Sequence, residues 1–325
     1  MVSYRKQKVG VFMDIENTKK TFKEVGKSMW FYFGLQIGLS FLASFTISFF
    51  FISCLHAAGF FIDSAFSMDL TMIVTCVASF AASFGTIALR QKKLDHPLSK
   101  EAFKSHFPIS AIFKTLGVLL GFNFCLGLIL SLLNGLIHTL FGGSIVSPDF
   151  STNTDVFYNI LLFIQTIIIA PLAEECFFRG LILRSLAKYH KAFAIIISAL
   201  LFGMMHLNFA QGIPAFFAGI ILAYASIKYN SLLLPILVHA LNNALSVTVS
   251  NLGPENFLVS LYSVLLIACF VYACIYISSH RNEIKQIFIK DAMKAPYISL
   301  FFKQFPIVLF IILFMLYAVT DLFLH

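Results

Sequence analysis

The chain has 325 residues, 59% of them hydrophobic and 12% charged, with 39 Phe, one Trp, a mean hydropathy of +0.89 and a formal net charge of +8. A soluble protein carries about 25% charged residues to wet its exterior, so this composition excludes a water-facing exterior and points to lipid. The positive balance does not indicate nucleic acid, because Lys and Arg are confined to short polar stretches between apolar runs, where they set membrane orientation and attract anionic lipid.

In chain order, residues 1–29 form a basic segment with seven Lys and Arg; no cleavable signal peptide is expected, since the first apolar run is too long for one. The segment is a candidate amphipathic helix on the membrane surface. Nine apolar runs follow, at about 31–55, 68–89, 109–141, 155–173, 193–208, 213–227, 231–249, 257–278 and 300–324, each near the roughly 20 residues of one crossing. The sixth is short and opens on Ile213 and Pro214, which predicts a tilted or partly re-entrant segment. The third, interrupted by Asn123, Asn134, Gly135 and His138, is expected to bend or end early. Every second connection is basic, placing the N-terminus in the cytoplasm and the C-terminus outside the cell membrane. The fold class is all-α, a polytopic transmembrane bundle of eight or nine spans. It divides into a cytoplasmic segment 1–29, N-terminal helices 30–150, a core 151–250 and C-terminal helices 251–325. The six Cys form no C-x-x-C pair and read as free thiols.

Ionisable residues inside the spans are scarce, and each costs about 2.5–3.5 kcal/mol at the bilayer centre, so those present need a reason. Glu174 and Glu175 end the fourth run, His206 lies in the fifth, and His239, Asn242 and Asn243 lie in the seventh. His138 and Asp321 sit near span ends and read as interfacial. If the fourth and fifth runs turn at Lys188 to Lys191, Glu174 and His206 stand at matching depth, on the order of 21–22 Å from that turn. A carboxylate and an imidazole at one depth are suited to acting on one water. The turn itself, polar from Arg179 to Lys191, is expected to protrude into the cytosol. Glu175 and Arg179 have the i, i+4 spacing of a carboxylate–guanidinium pair, which leaves Glu174, about 100° away around the helix, free for general-base chemistry. His239 and Asn243, also i and i+4, present two donors to one space, as needed where charge develops on a carbonyl oxygen.

Glu174-Glu175-Cys176-Phe177-Phe178-Arg179 resembles the Glu-Glu-x-x-x-Arg motif of the CPBP family, the CAAX-protease and bacteriocin-processing (Abi) membrane proteins. Phe202 to His206 is similar to its Phe-x-x-x-His motif, and His239 to Asn243 to its His-x-x-x-Asn motif. The resemblance covers residues 155–250 or so. It implies an intramembrane glutamate-dependent endopeptidase in which Glu174 and His206 activate water, His239 and Asn243 form the oxyanion site, and Glu175 and Arg179 brace them. It implies no cofactor, although Glu174, His206 and His239 also have the chemistry of three ligands to an open catalytic zinc. Cys176 lies inside the first motif but is discounted as a nucleophile, since apolar surroundings disfavour the thiolate. The expected partners are membrane lipids and a membrane-associated peptide or protein substrate, with no nucleic acid. Two alternatives are a non-catalytic bacteriocin-immunity or scaffold protein, and a proton-coupled transporter, against which the lack of repeat halves counts.

Overall fold

A computed structural model of the chain describes residues 2–46, 52–59, 64–94, 98, 100–104, 107–145, 155–288 and 295–324. Among these every regular element is helical. The principal helices are α1 (Val2–Phe45), α2 (Ser64–Arg90), α3 (Ile109–Phe141), α4 (Val156–Ala187), α5 (Lys191–Met204), α6 (Phe209–Tyr229), α7 (Leu233–Ser250), α8 (Phe257–Ser279), α9 (Arg281–Phe288), α10 (Ala295–Phe302) and α11 (Phe305–Leu324). Short polar residues start them. Asp155 accepts from the backbone of Phe157 and Tyr158, Asn208 from Gln211, and Asn256 from Leu258. These bonds satisfy amides that the first turn of a helix leaves unpaired. Residues in the left-handed region end two others, Gly142 after α3 (φ 69°) and Asn230 after α6 (φ 46°).

Seven helices among the described residues are long and apolar enough to cross a membrane: the bulk of α2 and of α11, and all of α3, α4, α6, α7 and α8. The chain is therefore a multi-pass membrane protein. Large apolar side chains stud the outer faces, among them Leu261, Val264, Ile267 and Val271 of α8, a surface that only lipid can cover without cost.

Several expectations from the sequence change. The sixth run is not short: α6 begins at Phe209, before Pro214, and runs for 21 residues. The third is one 33-residue helix with no break at Asn123 or Asn134. The fifth is only 14 residues, about 21 Å long against a hydrocarbon core of about 30 Å. Nearly all of α5 is buried, so protein rather than lipid surrounds it. The first run falls on α1 up to Phe45, and residues 47–51 lie outside the described residues. Upstream, Phe22, Val25 and Met29 are buried with Phe193, Phe301 and Phe310, so this part of α1 packs into the bundle instead of lying on the membrane surface.

Two polar features tie the periphery to the centre. On α2, Ser79, Ser83, Thr86 and Arg90 recur at helical spacing and are buried. Ser79 Oγ accepts from Gln36 of α1 (2.8 Å) and Gln165 of α4 (3.2 Å), while Arg90 bonds Ser28 Oγ (3.2 Å) and pairs with Glu24. Such side chains join helices where apolar contact alone gives no preference over lipid. Elsewhere, Glu283 of α9 accepts from Lys228 Nζ (3.0 Å) and Tyr224 Oη (3.1 Å) of α6. The bond from Lys228 holds the Glu283 carboxyl below the usual carboxylate range, against the opposing pull of partial burial. A lowered folded-state pKa means that this tether contributes fully above the ordinary value of about 4.3 and is lost as pH falls through the folded one. A spin label at the exposed Gln286 should therefore gain mobility as pH drops from about 6 to about 3. Glu283→Gln should remove most of that change; an unaltered pH response in this variant would refute the assignment.

Candidate active site

The site forms where α4, α5 and α7 meet, and α4 carries two wide π-type turns, Ile164–Ile169 and Cys176–Leu183, one on each side of the Glu pair. Such turns inside α-helices recur at functional sites. The first has a legible cause. Ala170 N–H reaches back to Gln165 O, so it does not serve Thr166 O, its α-helical partner. The residue that would serve Thr166 in the wider register is Pro171, which has no N–H. The orphaned Thr166 carbonyl accepts instead from Asn243 Nδ2 of α7, at 3.0 Å.

The second wide turn lies in the tightest part of the core. Every residue from Cys176 to Leu183 is buried, Arg179 included. Phe177 stacks on Tyr32 of α1 at 4.5 Å between centroids, and Phe178 meets Phe202 of α5 edge-on at 5.1 Å. Of the polar stretch expected to turn in the cytosol, Arg179 is drawn into the bundle with Phe177, Phe178, Leu181, Ile182 and Leu186, whereas Lys188 and Lys191 at the turn itself are exposed.

Glu175 is fully buried; its Oε1 hydrogen-bonds His239 Nδ1 at 3.0 Å and forms an ion pair with Arg179 Nη1, also at 3.0 Å. Arg179 also donates to Gly219 O of α6 (3.3 Å), and its guanidinium lies 4.5 Å from the centre of the Phe202 ring. The i, i+4 pair expected between Glu175 and Arg179 is present. Glu174 is set apart from it: its side chain keeps 24% of its surface open, and Oε2 stands 3.9 Å from His239 Nε2, too far for a direct hydrogen bond. One carboxylate is thus locked into structure, while its neighbour faces an imidazole across a gap.

His206 lies beyond the last turn of α5, in the tight connection to α6. Its Nδ1 is 3.1 Å from Phe202 O, and Asn208 Nδ2 fixes its carbonyl at 2.9 Å. The next residue, Leu207, has φ +58°, a left-handed conformation that costs a non-Gly residue about 1–2 kcal/mol and that persists where surrounding structure enforces it. The rings of His206 and His239 both stand nearly perpendicular to Phe202, at 5.3 and 5.8 Å between centroids. Phe202 is the hub that gathers Arg179, His206 and His239.

These bonds fix the hydrogens. A backbone carbonyl accepts only, as does an ionised carboxylate. Nδ1 therefore carries hydrogen in both His206 and His239, and Nε2 of each neutral ring is an acceptor. The sequence suggested that His239 and Asn243 would offer two donors to one space. In the fold, His239 Nδ1 is committed to Glu175 and one N–H of Asn243 to Thr166. What remains is the second N–H of Asn243 and, when the ring is protonated, His239 Nε2–H. Among the described residues no three His, Cys, Asp or Glu side chains gather into a metal-ligand set.

Residues 156–245 match the family described as Type II CAAX prenyl endopeptidase Rce1-like. This stretch is similar to that family, which agrees with the resemblance carried by the three motifs. The membrane-embedded CAAX protease MroQ of Staphylococcus aureus (strain USA300) is 33% identical to the chain over 143 residues, which is 41% of this chain and 58% of that protein. The chain thus spans less than two thirds of that relative's length. No solved structure gives a significant match. The matched stretch contains all six motif residues singled out above, from Glu174 to Asn243, together with supports that sequence reasoning passed over: Thr166, Asn208 and Gly219. Asn208 was legible as a helix-capping Asn ahead of an apolar run, and Thr166 through the Pro171 that follows it. Gly219 O as an acceptor had no sequence signal.

Proposed function

We propose that the protein is an intramembrane endopeptidase that hydrolyses a peptide bond in a membrane-associated peptide or protein, with its site open towards the cytoplasm, its N-terminus cytoplasmic and its C-terminus outside. The observation that carries this reading is the asymmetry of the two adjacent glutamates, one paired in the protein interior and the other open and facing His239. Glu174 takes a proton from water as the oxygen attacks the scissile carbonyl carbon. His206 Nε2 accepts the water's other hydrogen and orients it. Charge on the former carbonyl oxygen is met by the second N–H of Asn243 and by Nε2–H of protonated His239, whose Nδ1–H stays on Glu175. The C–N bond then breaks, and the amine leaves with the proton held by Glu174. Each step needs a donor or acceptor already oriented, which is where most catalytic stabilisation arises.

MroQ is named a CAAX protease, and a peptide presented at the membrane face is the matching substrate class here. The test is a peptidomic comparison of membranes from cells carrying the wild-type protein and His206→Ala at equal levels. Fragments present with the wild type should vanish with the variant. Identical fragment sets would overturn the protease reading and favour the non-catalytic immunity or scaffold alternative.

A further inference from the structure

A chain of three partly buried asparagine amides links α3, α7 and α4 and reaches beyond residues 156–245. Asn123 Nδ2 of α3 donates to Asn242 Oδ1 of α7 (2.8 Å), Asn242 Nδ2 donates to Asn243 Oδ1 (3.4 Å), and Asn243 Nδ2 donates to Thr166 O of α4 (3.0 Å). Amide orientations are ordinarily ambiguous between O and N, but here one end settles all three. The Thr166 carbonyl only accepts, so Asn243 must turn its Nδ2 to it and its Oδ1 away. Asn242 must then present Nδ2 to Asn243 and Oδ1 to α3, and only a donor at position 123 completes the series. Asn123 lies outside residues 156–245, on α3, and among the described residues it is the group of that helix that bonds to this series.

We infer that Asn123 is a positioning residue for the proposed reaction, acting through Asn242 to hold the Asn243 amide with one N–H on Thr166 and the other directed at the substrate carbonyl oxygen. The inference rests on the protease reading for its consequence but not for its geometry. Without the donor at 123, Asn242 is free to turn its amide over. Its oxygen would then face Asn243 Oδ1, two acceptors would meet, and Asn243 would rotate off Thr166. The simpler role of joining α3 to α7 predicts lost stability and nothing specific in turnover.

The test uses the full chain in lipid nanodiscs with ¹⁵N-labelled asparagine and a substrate peptide from the peptidomic comparison. Asn123→Leu should shift the side-chain amide signals of Asn243, identified by their loss in Asn243→Ala. It should also lower kcat by about 10- to 100-fold, the scale of a misplaced catalytic group, with KM within about twofold. Asn242→Ala should act on the same element, so that the double variant is no slower than the slower single one. Asn123→Gln, which keeps the donor, should recover at least about a third of kcat and so separates positioning from a folding defect. Unmoved Asn243 signals in Asn123→Leu, multiplicative losses in the double variant, or Gln no better than Leu would each overturn the inference. Shifted signals with no cleavage by the wild-type protein would sustain the relay and refute the protease reading instead.

Discussion

Glu174→Gln is expected to lower peptide cleavage by about 10²- to 10⁴-fold, the range of a positioned general base, while leaving the protein in the membrane at its normal level. The two halves of this expectation have separate origins. Gln keeps the shape of Glu but cannot take the water's proton, so the chemical step loses its base. Stability is spared because Glu174 is partly open and, among the described residues, makes no short ion pair: the ionisable group that approaches it is His239 Nε2, at 3.9 Å. Glu175→Gln is the informative contrast, since that carboxylate is buried against Arg179 and His239, and losing its charge should reduce protein level as well as turnover. The measurement is the initial rate of fragment release by mass spectrometry, normalised to membrane protein. Full cleavage by Glu174→Gln would sink its role as base, and loss of cleavage with bacteriocin protection intact would assign protection to the scaffold alone.

The bundle was largely legible from hydropathy, because lipid forces helical backbone and long apolar runs. Of the motif residues, Glu175 meets Arg179 and His239, Glu174 stands 3.9 Å from His239, and His206 and His239 both flank Phe202. The failures share a cause. Arg179 read as part of a polar turn because composition weighs charge, whereas Phe177 and Phe178 packing on Tyr32 and Phe202 buries it. The fifth run read as a span because hydropathy cannot distinguish lipid from protein as the apolar surroundings. Asn123 read only as a helix interruption, because it joins the site through Asn242 and Asn243 to a carbonyl released by a proline and a wide turn, a property of backbone register that no side-chain pattern carries.

The Glu175–Arg179 pair offers the second large effect, and its sign depends on what is left behind. With Glu174 and Glu175 ionised and Arg179 charged, the group carries −1 while His239 is neutral and 0 once it is protonated. Arg179→Leu removes the guanidinium and leaves Glu175, fully buried, with His239 as its remaining partner. Breaking a buried pair on one side costs about 3–5 kcal/mol, so a loss of about 3 kcal/mol is expected, with Tm falling on the order of 10 °C. Part of the loss is packing, since Arg179 also covers the Phe202 ring and bonds Gly219 O. Glu175→Leu alone should cost a similar amount by stranding Arg179. The double variant Glu175→Leu/Arg179→Leu should be more stable than either single one, because two apolar side chains carry no unpaired charge into the interior. It should still be inactive, because His239 loses the acceptor that fixes its Nδ1–H. Thermal melts of the four proteins in one detergent, read beside their cleavage rates, make this a cycle with opposite outcomes for folding and function. A double variant that melts at the sum of the single losses would show that the pair acts through packing alone, and one that cleaves normally would remove Glu175 from the orientation of His239.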